Sequence, residues 1–419
     1  MAVSQWAARR LFPLLASVAL IGVGMGSSTW WSPHFAGTTA WALPHDLWGT
    51  LVAARRLLQL NLGGLYTQPT GLVTFPGGAV ILVPVAALID VAGFSLRMPG
   101  PHYPQPAAWL LAGPYQIALS ATALFAVDAL AERLAVSRLR RLALAAGSAF
   151  ALWSVSVQWG HPEDAVAVAL LLYAILALAD GRTERSAWLA GAAIAVQPLV
   201  LLALPVLAVR AEPRRLAGYL ARAATPAAFS LAIAALANWH ATFAAMTSQP
   251  NWPSIDHPTP WTPLATHLSG GAVAAGPARA FAIIAACGCG YLAGRRWQAA
   301  PVTGPWSAGM LAEVLWWTAV TLALRTAFEP VMVAYYVWPA LAVALVAAVG
   351  NWWSLTATGA VAVTLTVVSQ FGWRGPWLWW ATMMAGLAVT LAAARWPGPR
   401  RPAPRRSLPA AAAQVGDLG

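Results

Sequence analysis

Residues able to carry acid–base or anion-binding chemistry are few, because the chain of 419 residues has only 13 acidic residues and 7 histidines. Several of them stand together in short polar segments between long apolar runs. Carboxylates in such segments are candidate proton acceptors, and an arginine fork is a candidate phosphate ligand. The candidates are His161, Glu163 and Asp164 in one turn, Asp256 and His257 in a Trp- and Pro-containing loop, Asp46 after the first apolar run, and Arg325 and Glu329 late in the chain.

The elements that position these residues must lie in a membrane. Hydrophobic residues make up 59% of the chain, charged residues only 9%, and the mean hydropathy is +0.63, which excludes a soluble globular domain. The net charge of +12 comes from arginine clusters between apolar runs, so it reports topology and not nucleic-acid binding. Cys287 and Cys289 lie inside one apolar run and are interpreted as helix packing.

The arginine clusters predict which loops face the cytoplasm, because short cytoplasmic loops are enriched in positive charge. The first apolar run is longer than the core of a signal peptide, so we interpret it as an uncleaved helix with a cytoplasmic N-terminus. The C-terminus is predicted to be cytoplasmic as well. The clusters lie at residues 9–10, 133–141, 182–185, 210–215, 295–296 and 395–406.

An even number of crossings must separate two cytoplasmic clusters, so some apolar stretches cannot span the membrane as single helices. Residues 71–94 are interrupted by prolines, glycines and Asp90, and we expect them to lie at the external interface. The same holds for residues 46–62, an amphipathic segment with Arg55 and Arg56 among leucines. Residues 187–209 are predicted to form two short arms that enter and return, broken at Gln197-Pro198.

Together these assignments predict an all-α polytopic membrane protein with about 12 transmembrane helices and interfacial helices in its first external loop. Residues 1–396 would form one transmembrane module, with the first external loop at 31–106. Residues 397–419, rich in Pro, Arg and Ala, would form a disordered cytoplasmic tail. The other spans are predicted at 11–30, 107–130, 142–157, 164–179, 216–237, 272–292, 306–324, 331–350, 353–372 and 377–394.

This topology places all 7 histidines and six of the carboxylates on the external face. Ionisable groups gathered on one face of a membrane protein indicate a functional site, although external loops are also simply hydrated. No zinc-ligand spacing, nucleotide-binding loop or acyl-enzyme motif is present, so neither a metal nor a cofactor is predicted. The external carboxylates are Asp46, Asp90, Glu163, Asp164, Asp256 and Glu329.

Three segments resemble the GT-C superfamily of membrane glycosyltransferases, particularly the bacterial mannosyltransferases that use polyprenol-phosphate-mannose. Two departures from the family pattern are Phe75-Pro76-Gly77, where a Tyr-Pro-Pro-like stretch is usual, and Gln197, where a lysine is frequent. The segments that carry the resemblance are Asp46 to Tyr66 with Thr74-Phe-Pro76, then Gly160-His-Pro-Glu-Asp164 with Gly181-Arg182 and Gln197-Pro198, and finally Arg325 through Glu329-Pro330 to Tyr335-Tyr336.

The resemblance implies an inverting transferase on the external face of the plasma membrane. It would move a sugar, most simply mannose, from a polyprenyl-phosphate donor to a glycolipid or glycan acceptor of the cell envelope. Asp46 would be the general base and Arg325 would hold the donor phosphate. The other implied substrate-binding residues are His161, Glu163, Asp164, Asp256, His257, Glu329 and Tyr335.

Each of these roles has a structural alternative. Asp46 and Asp164 stand where helices are predicted to begin, so both would serve as N-caps. Arg325 precedes Glu329 by four residues, the spacing of an intrahelical ion pair. The prolines around Asp256 would make its loop a rigid connector.

Two other functions fit parts of the pattern. A transporter or flippase of lipid-linked sugars would also use a broken helix, but it usually needs polar groups at mid-depth, which are few here. A non-catalytic scaffold in an envelope-assembly complex would keep the fold and lose the chemistry. The departures at Gly77 and Gln197 keep that reading open.

Overall fold

The computed structural model describes residues 2–35, 44–67, 72, 74–96, 107–298, 305–372 and 376–395. The predicted tail at 397–419 and part of the first loop lie outside these residues. The described chain is mostly helical. Its helices are α1 (Ala2–Arg9), α2 (Leu11–Phe35), α3 (His45–Leu58), α4 (Pro76–Val80), α5 (Val83–Val91), α6 (Ala107–Arg133), α7 (Arg138–Trp153), α8 (Pro162–Ala179), α9 (Thr183–Val196), α10 (Leu204–Ala208), α11 (Leu216–Ala237), α12 (Trp239–Thr247), α13 (Ala278–Arg296), α14 (Ala308–Phe328), α15 (Trp338–Ala348), α16 (Trp352–Val368) and α17 (Leu378–Ala394).

Four helical stretches in the described part of the chain are long and apolar enough to cross a membrane: Ala108–Arg133, Pro162–Ala179, Pro213–Ala237 and Ala308–Phe328. Shorter apolar stretches accompany them, including Leu11–Ser27, Trp352–Val368 and Leu378–Ala394. The chain therefore has the make-up of an all-α membrane protein. Protein surrounds α8, which is 78% buried, whereas the stretch containing α11 is only 17% buried and turns most of its apolar surface outward.

The break predicted at Gln197-Pro198 is present. Helix α9 ends at Val196, Gln197 is extended, and residues Pro198–Ala203 continue as a 3₁₀ segment that leads into α10. Pro198 has no backbone N–H to continue the helix, and the residue before a proline disfavours the helical region. The second arm ends near Arg210, whose guanidinium lies over the rings of Trp297 and Trp306.

The first loop contains a break that the sequence did not predict. Residues 71–94 do not form one interfacial helix but two short helices, α4 and α5, joined by a turn at residues 81–82. Pro84 lies in the first turn of α5, where its missing N–H costs nothing. The stretch 46–62 also ends early, because α3 stops at Leu58. Helices α3 and α5 pack together through buried Leu47, Leu51 and Ile89.

Three other helix boundaries depart from expectation. Helix α13 begins at Ala278 and not at 272, because Gly270, Gly271 and Gly276 turn the preceding chain with positive φ. Helix α15 begins only at Trp338, because strand β2 (Val331–Met332) pairs antiparallel with β1 (His257–Pro258) and a 3₁₀ segment, Ala334–Val337, follows it. Helix α7 ends at Trp153 in a π-helical turn, Ser154–Gln158.

Arginines from the predicted cytoplasmic clusters bind the carboxylates at one end of the bundle. Asp128 is buried and accepts bonds of 2.7 Å from both Arg10 and Arg141. Arg133 pairs with Asp180 at 3.0 Å. Asp128 is thus a paired group.

Candidate active site

His161 is the centre of the polar cluster at the start of α8. Its Nε2 lies 3.0 Å from Asp46 Oδ2, its Nδ1 lies 2.6 Å from Glu163 Oε1, and only 2% of the residue is exposed. Tyr335 stacks on the imidazole, with ring centroids 4.1 Å apart and planes 24° from parallel. The structure therefore brings Asp46 and Tyr335, which are distant in sequence, into contact with the polar turn that contains His161 and Glu163.

Local backbone geometry places His161 opposite α3. The preceding residue, Gly160, has φ +66°, and a Cβ there would lie 2.9 Å from Leu47 Cβ. A glycine is thus needed both for the turn and for the close approach of α3. His161 then occupies the N-cap position of α8, and Asp46 lies in the first turn of α3.

His161 is held as a cation between two acids. Burial alone lowers the pKa of His161, but the charge of Glu163 and the hydrogen bonds to Asp46 and Glu163 outweigh burial and raise the pKa to about 10. Both ring nitrogens then donate, one to each carboxylate. Asp46 is 39% exposed at its side chain, so one face of this carboxylate stays accessible while the imidazolium fixes its orientation.

The capping roles suggested by sequence are wrong for both aspartates. Pro44 is the N-cap of α3 and makes no side-chain cap bond, and Asp46 is the second residue of that helix. Asp164 lies in the first turn of α8, fully buried, and its Oδ1 accepts a hydrogen bond from Gln197 Nε2. Both aspartates are engaged in tertiary contacts instead of local capping.

Gln197 ties the broken helix to the site. Besides binding Asp164, its Oε1 accepts from the hydroxyl of Thr74 at 3.3 Å, and that hydroxyl also donates to the Val196 carbonyl at 3.0 Å. The first loop, the tip of the broken helix and the start of α8 thus meet at one residue. Sequence reasoning identified the break here but not the site role.

The departure at Phe75-Pro76-Gly77 has a packing explanation. A Cβ on Gly77 would lie 2.3 Å from the carbonyl oxygen of Ala195, and one on Gly78 would lie 2.5 Å from Thr74 Cγ2. Any side chain at position 77 would push the first loop away from the broken helix. In this chain glycine at 77 allows Thr74 to reach the tip beside Gln197.

Arg325 approaches the cluster from the last full turn of α14. Its guanidinium carbon lies 4.1 Å from the centroid of the Tyr336 ring, in cation–π geometry. Its Nη1 is shielded from solvent and has no hydrogen-bond partner among the described residues. The charges of Asp164 and Glu329 lie within electrostatic range of it. A buried cationic donor without a protein acceptor is free to bind an anion or a water.

The expected ion pair between Arg325 and Glu329 is replaced by another. Glu329 Oε1 accepts from Arg279 Nη2 at 2.9 Å, on the neighbouring helix α13. Glu329 follows the end of α14 in extended backbone, which turns its side chain away from the preceding helical turn. Arg279 had no signal in the sequence beyond its charge, because the pairing joins residues distant in the chain.

These groups border a cavity of about 210 Å³. Its polar wall includes His161, Glu163, Gln197, Arg325 and Tyr335. Its other wall is apolar, and the exposed side chains there lie on the outside of the bundle, where lipid would contact them. The apolar lining residues are Pro198, Leu199, Leu201, Leu202, Ala282, Ile283 and Phe328.

Asp46 does not line this cavity. His161, which binds Asp46 through Nε2, and Tyr335, which stacks on His161, both belong to the polar wall, so their rings form a layer between the Asp46 carboxylate and the cavity. The two residues that the resemblance assigns to the base and to phosphate binding therefore do not line one shared cavity.

The loop before β1 lies beside the cluster, and its Gln249 borders the cavity. Burial, with a smaller contribution from the charge of Asp46, raises the pKa of Asp256 to about 6. His257 stacks on Trp379 of α17, with centroids 3.9 Å apart and planes 7° from parallel, and burial lowers its pKa. Asp256 thus lies within electrostatic range of Asp46, whereas His257 packs the loop against α17.

Comparison with known proteins finds no match to a model of a protein family, and no curated protein matches the sequence.

The described residues contain no group of three His, Cys, Asp or Glu side chains able to hold a metal ion. The chemistry of the site must therefore be inferred from its own geometry.

Proposed function

We propose that this protein is an inverting membrane glycosyltransferase that transfers a sugar, most simply mannose, from a polyprenyl-phosphate donor to a glycolipid or glycan acceptor. The observation that carries the proposal is the cavity with a polar wall, an unpaired arginine donor and an apolar wall at the bundle surface. A lipid phosphate has this combination of one anionic group and one apolar chain.

Arg325 is the proposed phosphate ligand. Its free N–H group would bind a phosphate oxygen, and its fork suits two such bonds. The anion would also lie near the tyrosine pair, Tyr335 and Tyr336, which lines the same wall. The isoprenoid chain would leave between the 3₁₀ segment after Gln197 and α13, along Leu201 and Ile283.

Asp46 is the proposed general base. The acceptor hydroxyl loses its proton to Asp46, its oxygen bonds to the anomeric carbon of the sugar, and the bond from that carbon to the phosphate oxygen breaks. Polyprenyl phosphate leaves with the bonding electron pair. His161, held by Glu163, keeps Asp46 oriented for this step. The layer of His161 and Tyr335 separates the proposed base, Asp46, from the cavity in which Arg325 would hold the phosphate. This layer must shift, or the sugar must pass beside it, for the acceptor hydroxyl to reach the anomeric carbon.

We further propose that the fold is GT-C-like, with about 12 transmembrane helices, both termini in the cytoplasm and the site on the external face of the plasma membrane. Arginine pairs at one end of the bundle and the His161 cluster at the other support this orientation. The shared neighbourhood of α3, α4, the broken helix and α14 supports the GT-C comparison.

The test is lipid-to-acceptor sugar transfer by the purified protein in nanodiscs with Asp46→Asn. We expect turnover to fall by a factor of about 10² to 10⁴, because a general base is lost while the shape is kept. Asp90→Asn is the matched control, since Asp90 belongs to the same loop and pairs with Arg55 at 3.0 Å, away from His161. Near wild-type transfer by Asp46→Asn, or equal loss in both variants, would contradict the proposal.

A transporter or flippase of lipid-linked sugars is the second candidate. It is favoured by the broken helix at Gln197 together with two buried carboxylates, Glu163 and Asp164, each with one oxygen that has no hydrogen-bond partner in the described part of the chain. Reconstituted vesicles separate the two functions. Movement of a fluorescent lipid-linked sugar that survives Asp46→Asn, without any transfer product, would favour transport.

A further inference from the structure

The π-helical turn at the end of α7 leaves two polar groups without partners. Gln158 Oε1 and Trp159 Nε1 are buried, and neither has a hydrogen bond within the described residues. Such turns are rare and occur mainly at functional sites. Since buried polar groups are nearly always paired, these two call for a partner from outside the protein.

These residues lie near both the cavity and the helix that carries the proposed base. The ring of Trp159 lies 5.7 Å from that of Tyr335, which borders the cavity and stacks on His161. The next residue, Gly160, is packed against Leu47, the neighbour of Asp46 in α3. Trp159 therefore lies next to the layer between the cavity and the proposed base, and Gln158 directly precedes it in the chain.

The chemistry of the pair matches a sugar. Gln158 presents an acceptor and Trp159 a donor, and a sugar hydroxyl both donates and accepts. The indole ring adds an apolar face of the kind that packs against the C–H face of a pyranose. Neither group carries charge, so the pair would not compete for the phosphate.

We propose that Gln158 and Trp159 bind the sugar of the lipid-phosphate donor. This inference rests on the proposed function, and it assigns the sugar-recognition subsite to the turn after α7, beside Tyr335. An ordered water that satisfies both groups is the competing explanation.

The test compares binding of farnesyl phosphate with binding of its mannosyl and glucosyl phosphoesters, using Gln158→Leu and Trp159→Phe. Gln158→Leu removes the side-chain amide, and Trp159→Phe removes the indole N–H together with part of the ring. We expect the affinity for at least one sugar ester to fall by about 3- to 10-fold per variant, while the affinity for farnesyl phosphate stays unchanged. Thermal stability should not fall in Gln158→Leu, because an unpaired polar group is removed, whereas Trp159→Phe also leaves a cavity and should lower it.

Trp317→Phe is the matched control, since the Trp317 indole N–H of α14 is also buried without a partner in the described chain but lies two turns before Arg325. Sugar-ester binding unchanged in both variants would overturn the inference and favour the water. Equal weakening of farnesyl phosphate would overturn it as well. A wild-type protein that binds none of these lipids would instead refute the proposed function, and the subsite with it.

Discussion

Replacing Arg325 by lysine is the most direct test of the cavity. Lysine keeps the positive charge that balances Asp164 and Glu329 but loses the fork and the stacking on Tyr336. Alanine is a poorer choice, because removal of one partner from a buried charge network costs about 3–5 kcal/mol and endangers folding. The lysine variant therefore separates phosphate recognition from stability.

The magnitude follows from the single unpaired donor. A hydrogen bond to a charged group contributes about 1.5–3 kcal/mol, which corresponds to about 10- to 150-fold in affinity. Lysine retains part of this through its charge, so we expect farnesyl phosphate to bind about 10-fold more weakly to Arg325→Lys. Farnesol has no phosphate, and its binding should stay the same.

Isothermal titration in detergent measures both ligands. Arg279→Lys is the control, because Arg279 lines the same cavity but its guanidinium already binds Glu329 at 2.9 Å. That variant should change phosphate affinity by less than Arg325→Lys does. The reasoning is refuted if Arg325→Lys binds farnesyl phosphate like the wild type, or if farnesol weakens to the same extent.

Four further outcomes are expected. The pKa of Asp256 is raised to about 6 from its usual 3.8, so its ionised form destabilises the fold above that pH. Asp256→Asn should raise the melting temperature at pH 7.5, and a gain that persists at pH 4 would contradict this cause. His161→Gln should lower the melting temperature at pH 7, because the stabilisation from a pKa raised to about 10 is complete below 6.5 and lost only as the pH rises through 10; a deficit that is unchanged at pH 10.5 would count against the ion pairs. Gly77→Val should cost about 1–3 kcal/mol or prevent folding, because its Cβ would meet the Ala195 carbonyl, and a wild-type melting curve would rule out this packing. A cysteine at position 182 should react with membrane-impermeant reagents only from the cytoplasmic side, and external labelling would overturn the predicted topology.

The broken helix is the part of the fold that sequence predicted best. Pro198 carried enough information, because the break that a proline makes in a helix is a local signal. The division of residues 71–94 into two helices was not predictable from local signals of this kind. The turn before Pro84 depends on how α4 packs against the tip at Gln197, which is a long-range contact.

Within the site, the sequence indicated candidate residues but not which side chains bind each other. His161, Glu163 and Asp164 were visible as a polar turn, and their neighbours in space were not. The pairing of Glu329 with Arg279 and the bond from Gln197 to Asp164 join residues far apart in the chain. The unpaired atoms of Gln158 gave no sequence signal at all, because glutamine after an apolar helix is unremarkable.

The burial of α8 bears on how the protein is made. Asp164 lies in the first turn of the helix, yet the arginine within electrostatic range of it belongs to α14, which leaves the ribosome much later. During synthesis the acidic turn would stay at the translocon exit or in water, and it would settle only when α14 is inserted. A truncated chain that ends before α14 should consequently be recognised by membrane quality control, even though most of its apolar helices are already present.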